Sequence, residues 1–217
     1  MKGLIVACLL FLLVACGKND QDALNKNLPW QVSTTEDGST NVLGVSIGNI
    51  TFKDLMFKLQ LLAEPALFQG PDGKLTLEAY FGKKKFGVLE ARLIAEMDAD
   101  ESLLKKMLAE KTSRDATPSN NWKYGLTIEN TKLANEVRVW RLVYLPVSDY
   151  EPKQMNFFGA PEETIKVSDT AEYRLYPSRG MVLLYDTAGK EIFYYAAKKD
   201  FARLKASLPK KVILQIR

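Results

Sequence analysis

Residues 44–48 read Gly-Val-Ser-Ile-Gly, the Gly-x-Ser-x-Gly spacing with which a hydrolase sets a nucleophilic serine on a sharp strand-to-helix turn. Acyl transfer at Ser46 needs a base for the hydroxyl proton near neutral pH, and the 217 residues include no histidine. A serine-lysine pair, or chemistry with carboxylates alone, stays formally open. The local pattern argues against a turn, however. Residues 42–48 set Val, Gly, Ser and Gly in alternation with Leu, Val and Ile, which predicts a strand, and the first helix signal comes only at Thr51. Ser46 is therefore expected on the wetter face of a strand, with no catalytic role, and a fluorophosphonate probe should leave it unlabelled. Glu162 and Glu163 make a poor acid/base couple, because neighbours on a strand point to opposite faces. Zinc and iron sites draw on imidazole and thiolate, and with Cys8 and Cys16 the only thiols, no metal or cofactor site is expected.

The thiols belong to a different chemistry. The chain opens with a basic Lys2 and an apolar run over residues 4–15, a secretory signal too short to span a bilayer stably. At its end, Leu13-Val14-Ala15-Cys16 resembles the lipobox of bacterial lipoproteins. The resemblance implies cleavage before Cys16, a diacylglyceryl group on its thiol and a fatty acid such as palmitate on its freed amine. Cys16 then anchors the protein, since each buried methylene contributes about 0.8 kcal/mol and several chains hold where one would not. Gly17, where an aspartate would signal retention, implies the outer membrane of a Gram-negative bacterium and a domain facing the periplasm. Cys8 leaves with the signal, so the mature domain is expected to lack a free thiol. With Lys2 removed, 29 basic residues stand against 26 acidic ones, a balance that gives no argument for nucleic acid.

Residues 16–28 read as the lipidated N-terminus and a polar tether. An opening hairpin is expected over residues 30–42, with its turn at residues 36–39. A helix capped by Thr51, with Asp54 three residues on, carries Phe52, Leu55, Met56, Leu59 and Leu62 at helical spacing and ends at Glu64-Pro65. Strands follow at residues 66–69, 75–81 and 88–97, with turns at residues 70–73 and at Gly82-Lys83-Lys84-Lys85. A helix opened by Asp98 or Asp100 closes this half. Residues 113–125 read as a linker. Beyond it come a short helix over residues 127–136, an apolar strand over 137–147, and a helix carrying Tyr150, Met155, Phe157 and Phe158. Four strands, at residues 164–167, 172–176, 181–185 and 191–196, and a last helix over 198–208 complete the chain.

Both halves thus read as strand, capped helix, proline, antiparallel strands and helix. Pro65 precedes Tyr80 by fifteen residues and Pro161 precedes Tyr176 by fifteen, which predicts two similar subdomains, over residues 29–113 and 114–217, with the prolines at equivalent helix ends and the tyrosines at equivalent strand positions. The expected fold class is α+β, with antiparallel sheets and helices packed on one face. Phe158-Gly159-Ala160-Pro161, followed by a tyrosine-rich strand and a hairpin, resembles the SmpA/OmlA (BamE-type) outer-membrane lipoprotein module. Gly48-Asn49-Ile50-Thr51 is similar in the first half, which departs at Leu62-Ala63-Glu64-Pro65, where the module has glycine in place of Ala63. The resemblance implies a small α/β sandwich without enzymatic activity, used in protein-protein contact.

The function expected on these grounds is a non-catalytic envelope lipoprotein that binds another envelope protein, in outer-membrane assembly or maintenance. The seam beside residues 113–125 is the first place to look for the partner site. A carrier of a lipid or small apolar ligand would instead need a large apolar pocket, and a periplasmic hydrolase a cleft with convergent polar groups. The lysines at 83–85, 198–199 and 210–211 read as solvated turns and strand edges rather than a lipid-headgroup site, and Tyr173, Tyr176, Tyr185, Tyr194 and Tyr195 as core and cross-strand pairs.

Overall fold

The structure, a computed structural model, describes residues 26–189 and 191–209. The signal at 1–15, Cys16, most of the tether and Lys210-Lys211 lie outside them. Two antiparallel sheets and helices make up the α+β fold. The small sheet holds β1 (Ser33–Thr34), β2 (Thr40–Val42) and β3 (Val45–Ile47). In the first half of the large sheet lie β4 (Pro65–Gln69), β5 (Leu75–Phe86), β6 (Leu89–Met97), β7 (Ser113–Ala116) and β8 (Trp122–Gly125). The second half supplies β9 (Val139–Pro146), β10 (Glu163–Lys166), β11 (Ala171–Tyr176), β12 (Met181–Asp186) and β13 (Ile192–Ala196). Their order across the ten-stranded sheet is β10-β11-β12-β13-β9-β6-β5-β4-β8-β7, every neighbour antiparallel. Pairing of β6 with β9 joins the two halves into one sheet.

Capping fixes where the helices start. Thr51 Oγ1 accepts the Asp54 N–H at 3.1 Å and opens α1 (Phe52–Leu59); Asp100 accepts the Leu103 N–H at 2.8 Å and opens α2 (Glu101–Ala109); Thr127 accepts the Asn130 N–H at 3.1 Å and opens α3 (Ile128–Asn135). The short α4 (Pro152–Met155) has a capping box between Glu151 and Gln154, and α5 (Phe201–Ala206) follows a 3-10 turn. Helix α1 stops earlier than its apolar spacing predicts. Gln60 takes a left-handed conformation, and the Leu61 N–H returns to the Met56 carbonyl at 3.0 Å, a bond that ends a helix. Leu62, the next residue of the predicted stripe, therefore falls outside the helix and is 89% exposed.

Phe52 and Leu55 of α1, Met107 of α2, Ala134 of α3 and Met155 of α4 bury against one face of the large sheet, with Val42, Val45 and Ile47 of the small sheet. That arrangement matches the expectation of helices on one face. Helix α5 is the exception: its Phe201 and Leu204 pack on the opposite face, against Val143, Leu175, Val182 and Tyr194. The proposed equivalence of Tyr80 and Tyr176 fails on the same geometry. Cross-strand partners share a face, and the register Tyr80–Ile94–Val143–Tyr194–Val182–Leu175 puts Tyr80 on the face of Leu175, opposite Tyr176. Tyr176 is buried and Tyr80 is 52% exposed.

Three local readings also change. Residues 42–48 form a hairpin rather than one strand, since Leu43 and Gly44 both have positive φ, as the tightest two-residue turns require. Lys83-Lys84-Lys85 is not a hairpin tip. Gly82, at φ +70°, opens a bulge between Tyr80 and Lys83, the strand continues, and the turn falls at Gly87-Val88. Residues 113–125 are strands β7 and β8, and β8 pairs with β4 to extend the sheet.

Candidate functional site

The small sheet positions Ser46. Thr40, Val42, Val45 and Ile47 are buried, so alternation along β2 and β3 turns Asn41 and Ser46 away from the core as directly opposed partners. Ser46 is exposed on its strand, as its sequence context predicts, and no described helix starts at it. Beside it lies an open cleft of about 760 Å³, lined also by Asp37, Asn49 and Phe57. Glu162 and Glu163 serve separate partners: Glu162 accepts the Ser178 N–H at 3.1 Å, and Glu163 pairs with Lys205 at 2.6 Å. Among the described residues no group of three or more His, Cys, Asp or Glu is placed to hold a metal ion.

A second groove, about 680 Å³, lies where β8 stops pairing with β4. Among the described residues Pro65 and Ala66 have no strand beyond them there, because the β4–β8 ladder covers only Leu67, Phe68 and Gln69. Phe68, Glu78 and Tyr80 share the face of the sheet opposite the four helices, while Leu62, Met56 of α1 and Asn135 of α3 complete the rim. Leu62 and Tyr80 are large apolar side chains left in solvent, and Asn135 Oδ1 is buried without a hydrogen-bond partner among the described residues. The adjoining hairpin adds an Arg114 guanidinium stacked 3.8 Å from the Trp122 ring centre. Comparison with family models, with curated proteins and with solved structures found no match.

Charge is placed unevenly around it. On the groove's face, Glu78, Glu96 and Arg141 stand in one cross-strand row on β5, β6 and β9. Burial raises the Glu78 carboxyl above the usual carboxylate range; the Thr76 hydroxyl, donating at 2.6 Å, opposes that rise and the Glu96 charge adds to it. Arg141 pairs with Glu96 and donates to Ser207 Oγ at 3.1 Å, and Arg203 of α5 stacks 3.9 Å from the Trp140 ring centre. Asp98 binds both Arg138 and Arg203. Burial raises its carboxyl, but the two guanidinium groups outweigh that and the net shift is downward. This network ties α5 to the sheet.

The tyrosines of the last strands are structural, as expected. Tyr173 and Tyr194 meet edge to face at 6.4 Å, Tyr176 donates to the Gly159 carbonyl at 3.2 Å, and Tyr195 donates to the Pro29 carbonyl at 2.8 Å. Burial raises Tyr194 to about 12. Leu62, Phe68 and Tyr80 carry no motif in the sequence. The available signal was the β-rich, aromatic composition of residues 122–125, which argues for a strand where glycine, serine and asparagine argued for a linker.

Proposed function

We propose that this chain is a lipid-anchored protein of the cell envelope whose folded part faces the periplasm and binds another envelope protein without catalysing a reaction. The observation that carries the reading is the groove beside β8, where Leu62 and Tyr80 stand exposed next to a stretch of sheet edge that no described strand pairs. Exposed apolar side chains grouped beside polar ones mark contact surfaces, and an unpaired edge accepts a partner's backbone. The halves meet at β6 and β9 and not beside residues 113–125, which form the far edge of the sheet; Lys123 of that edge lines the groove. Both clefts are open and partly polar, which favours surface contact over the enclosed apolar cavity that a lipid carrier needs.

Anchoring at Cys16 sets the location in this reading. Cys16→Ser is expected to abolish incorporation of a palmitate analogue and to move the protein out of its wild-type membrane fraction. Label retained by the variant would end the lipoprotein reading. For the partner, a photo-crosslinking residue in place of Tyr80 or Leu62 is expected to give the same discrete adduct in cells, with a residue at Val88, exposed at the β5–β6 turn, giving none. Adducts that are absent at both groove positions, or equal at Val88, would remove the groove from the function.

A serine hydrolase is the competing chemistry, and Ser46 decides it. Wild type and Ser46→Ala are expected to react equally, at background, with a fluorophosphonate probe. Labelling lost in Ser46→Ala would show that a lysine activates the serine.

A further inference from the structure

The cleft beside Ser46 is a separate site from the groove, and its chemistry points elsewhere. Its floor is set by hydrogen bonds before any ligand arrives. Asp37 accepts from the Thr35 hydroxyl, the Ser39 hydroxyl at 2.9 Å and the Asn49 amide at 2.8 Å, and the Asn49 carbonyl oxygen accepts from Lys199 at 3.0 Å. Hydrogen bonds from Thr35 and Ser39 hold the Asp37 carboxyl down at about 2. With the Ser39 N–H at 3.2 Å, Asp37 has four donors on its two oxygens, so it and Asn49 hold the wall of the cleft in place rather than bind, and a fixed site loses less freedom on binding.

Next to this rigid pair stand groups with capacity to spare. Asn41 and Ser46 oppose each other across β2 and β3, line the cleft, and have no side-chain hydrogen bond to another described residue. An amide offers a donor and an acceptor side by side, and a hydroxyl offers both on one atom. Phe57, on α1, lines the same cleft with 80% of its surface exposed, though an apolar ring on a helix is ordinarily turned inward. Asp37 and Asp54 outnumber Lys58 among the charged lining groups, which disfavours a phosphate or carboxylate ligand.

We propose that this cleft binds a neutral carbohydrate, with Asn41 and Ser46 taking adjacent hydroxyls of a pyranose and Phe57 covering its C–H face. A pyranose presents adjacent hydroxyls that an amide and a hydroxyl contact side by side, and a patch of C–H groups that a flat ring covers. A pyranose meets both demands without a net positive charge in the cleft. The Gly-x-Ser-x-Gly spacing has a structural source here: Gly44 supplies the positive φ of the turn, and Ser46 is the strand position facing the cleft.

The test is ligand-observed saturation-transfer NMR on the full mature protein in detergent micelles, with empty micelles as the blank. Chitotriose, maltotriose and laminaritriose serve as probes, and glycerol as a polyol without a pyranose face. At least one trisaccharide is expected to be saturated at its ring protons, with affinity about tenfold weaker in Phe57→Ala and in Asn41→Ala. Both positions are on the surface side of their elements, and circular dichroism checks that the variants fold. Leu62→Ser, in the groove, is expected to leave saccharide binding unchanged, so the site and the protein-contact reading fail separately. The proposal is overturned if no trisaccharide is saturated above the blank, if glycerol competes equally, or if both cleft variants bind as wild type does.

Discussion

Gly180→Ala is expected to destabilise the protein by about 3 kcal/mol, the sum of placing a side chain in a left-handed conformation and forcing atoms into a full space. Gly180 has φ +66° and ends the 3-10 turn Pro177–Arg179 between β11 and β12. A Cβ there would lie 2.2 Å from the Ala196 carbonyl oxygen and 2.5 Å from Thr40 Oγ1. Neither neighbour is free to yield. The Ala196 N–H donates to the Gly180 carbonyl at 2.9 Å, and the buried Thr40 hydroxyl donates to the Arg179 carbonyl at 3.2 Å. Gly180 is thus where the small sheet, β13 and the β11–β12 connection meet, and a shift there propagates to all three. Urea unfolding reads the loss directly, and the melting temperature should fall by roughly 10 °C for a chain of this size. A change below about 1 kcal/mol would mean that the three elements separate without cost.

The same junction shows what a sequence reveals and what it conceals. Thr51 was legible as a cap, and the second opening was narrowed to Asp98 or Asp100, because a cap is a local bond between residues three apart; Thr127, read only as the start of a helix, caps in the same way. Strand positions were legible where a short apolar run is bounded by turn residues, as in β12 and β13, which are buried on both faces. The errors arise where a residue type has two local uses. Gly82 serves a bulge as readily as a turn, and a polar edge such as β7, exposed along its length, has the composition of a linker. Two features depend on contacts distant in sequence and had no local signal. One is the pairing of β6 with β9, which makes one sheet of the two halves; the other is the groove, whose Leu62, Phe68 and Tyr80 meet only after β4 and β5 pair. Repeat spacing misled for a related reason. Fifteen residues separate proline from tyrosine in both halves, but face depends on register, and β5 runs on to Phe86 where β11 stops at Tyr176.

Register also makes Arg141 the charge on which the outer face depends. It is the cation of the Glu78–Glu96–Arg141 row, and Glu96 is buried. Arg141→Met keeps the length of the side chain and removes the charge, leaving Glu96 buried without its ion pair, for an expected loss of about 3–5 kcal/mol at pH 7.5. Glu78 gives the change a pH signature. Burial raises its carboxyl in the folded state, so the folded protein holds that proton more tightly than the unfolded chain does. The stability this supplies is complete below the ordinary carboxylate range and is lost as pH rises through the raised value. Arg141 lowers the Glu78 carboxyl, so removing it should carry the decline to higher pH. Glu78→Gln keeps a group that can accept from Thr76 and carries no charge to desolvate. It should stabilise the wild type by about 1 kcal/mol at pH 7.5 and flatten the decline. In the double variant the loss from Arg141→Met should be smaller than in the single one, because less negative charge is stranded on the face. Urea unfolding of the four proteins between pH 4 and pH 8 measures the coupling as a double-mutant cycle. Strictly additive losses, with the same pH profile in all four, would show that Glu78 and Arg141 act independently and that the row is a coincidence of register.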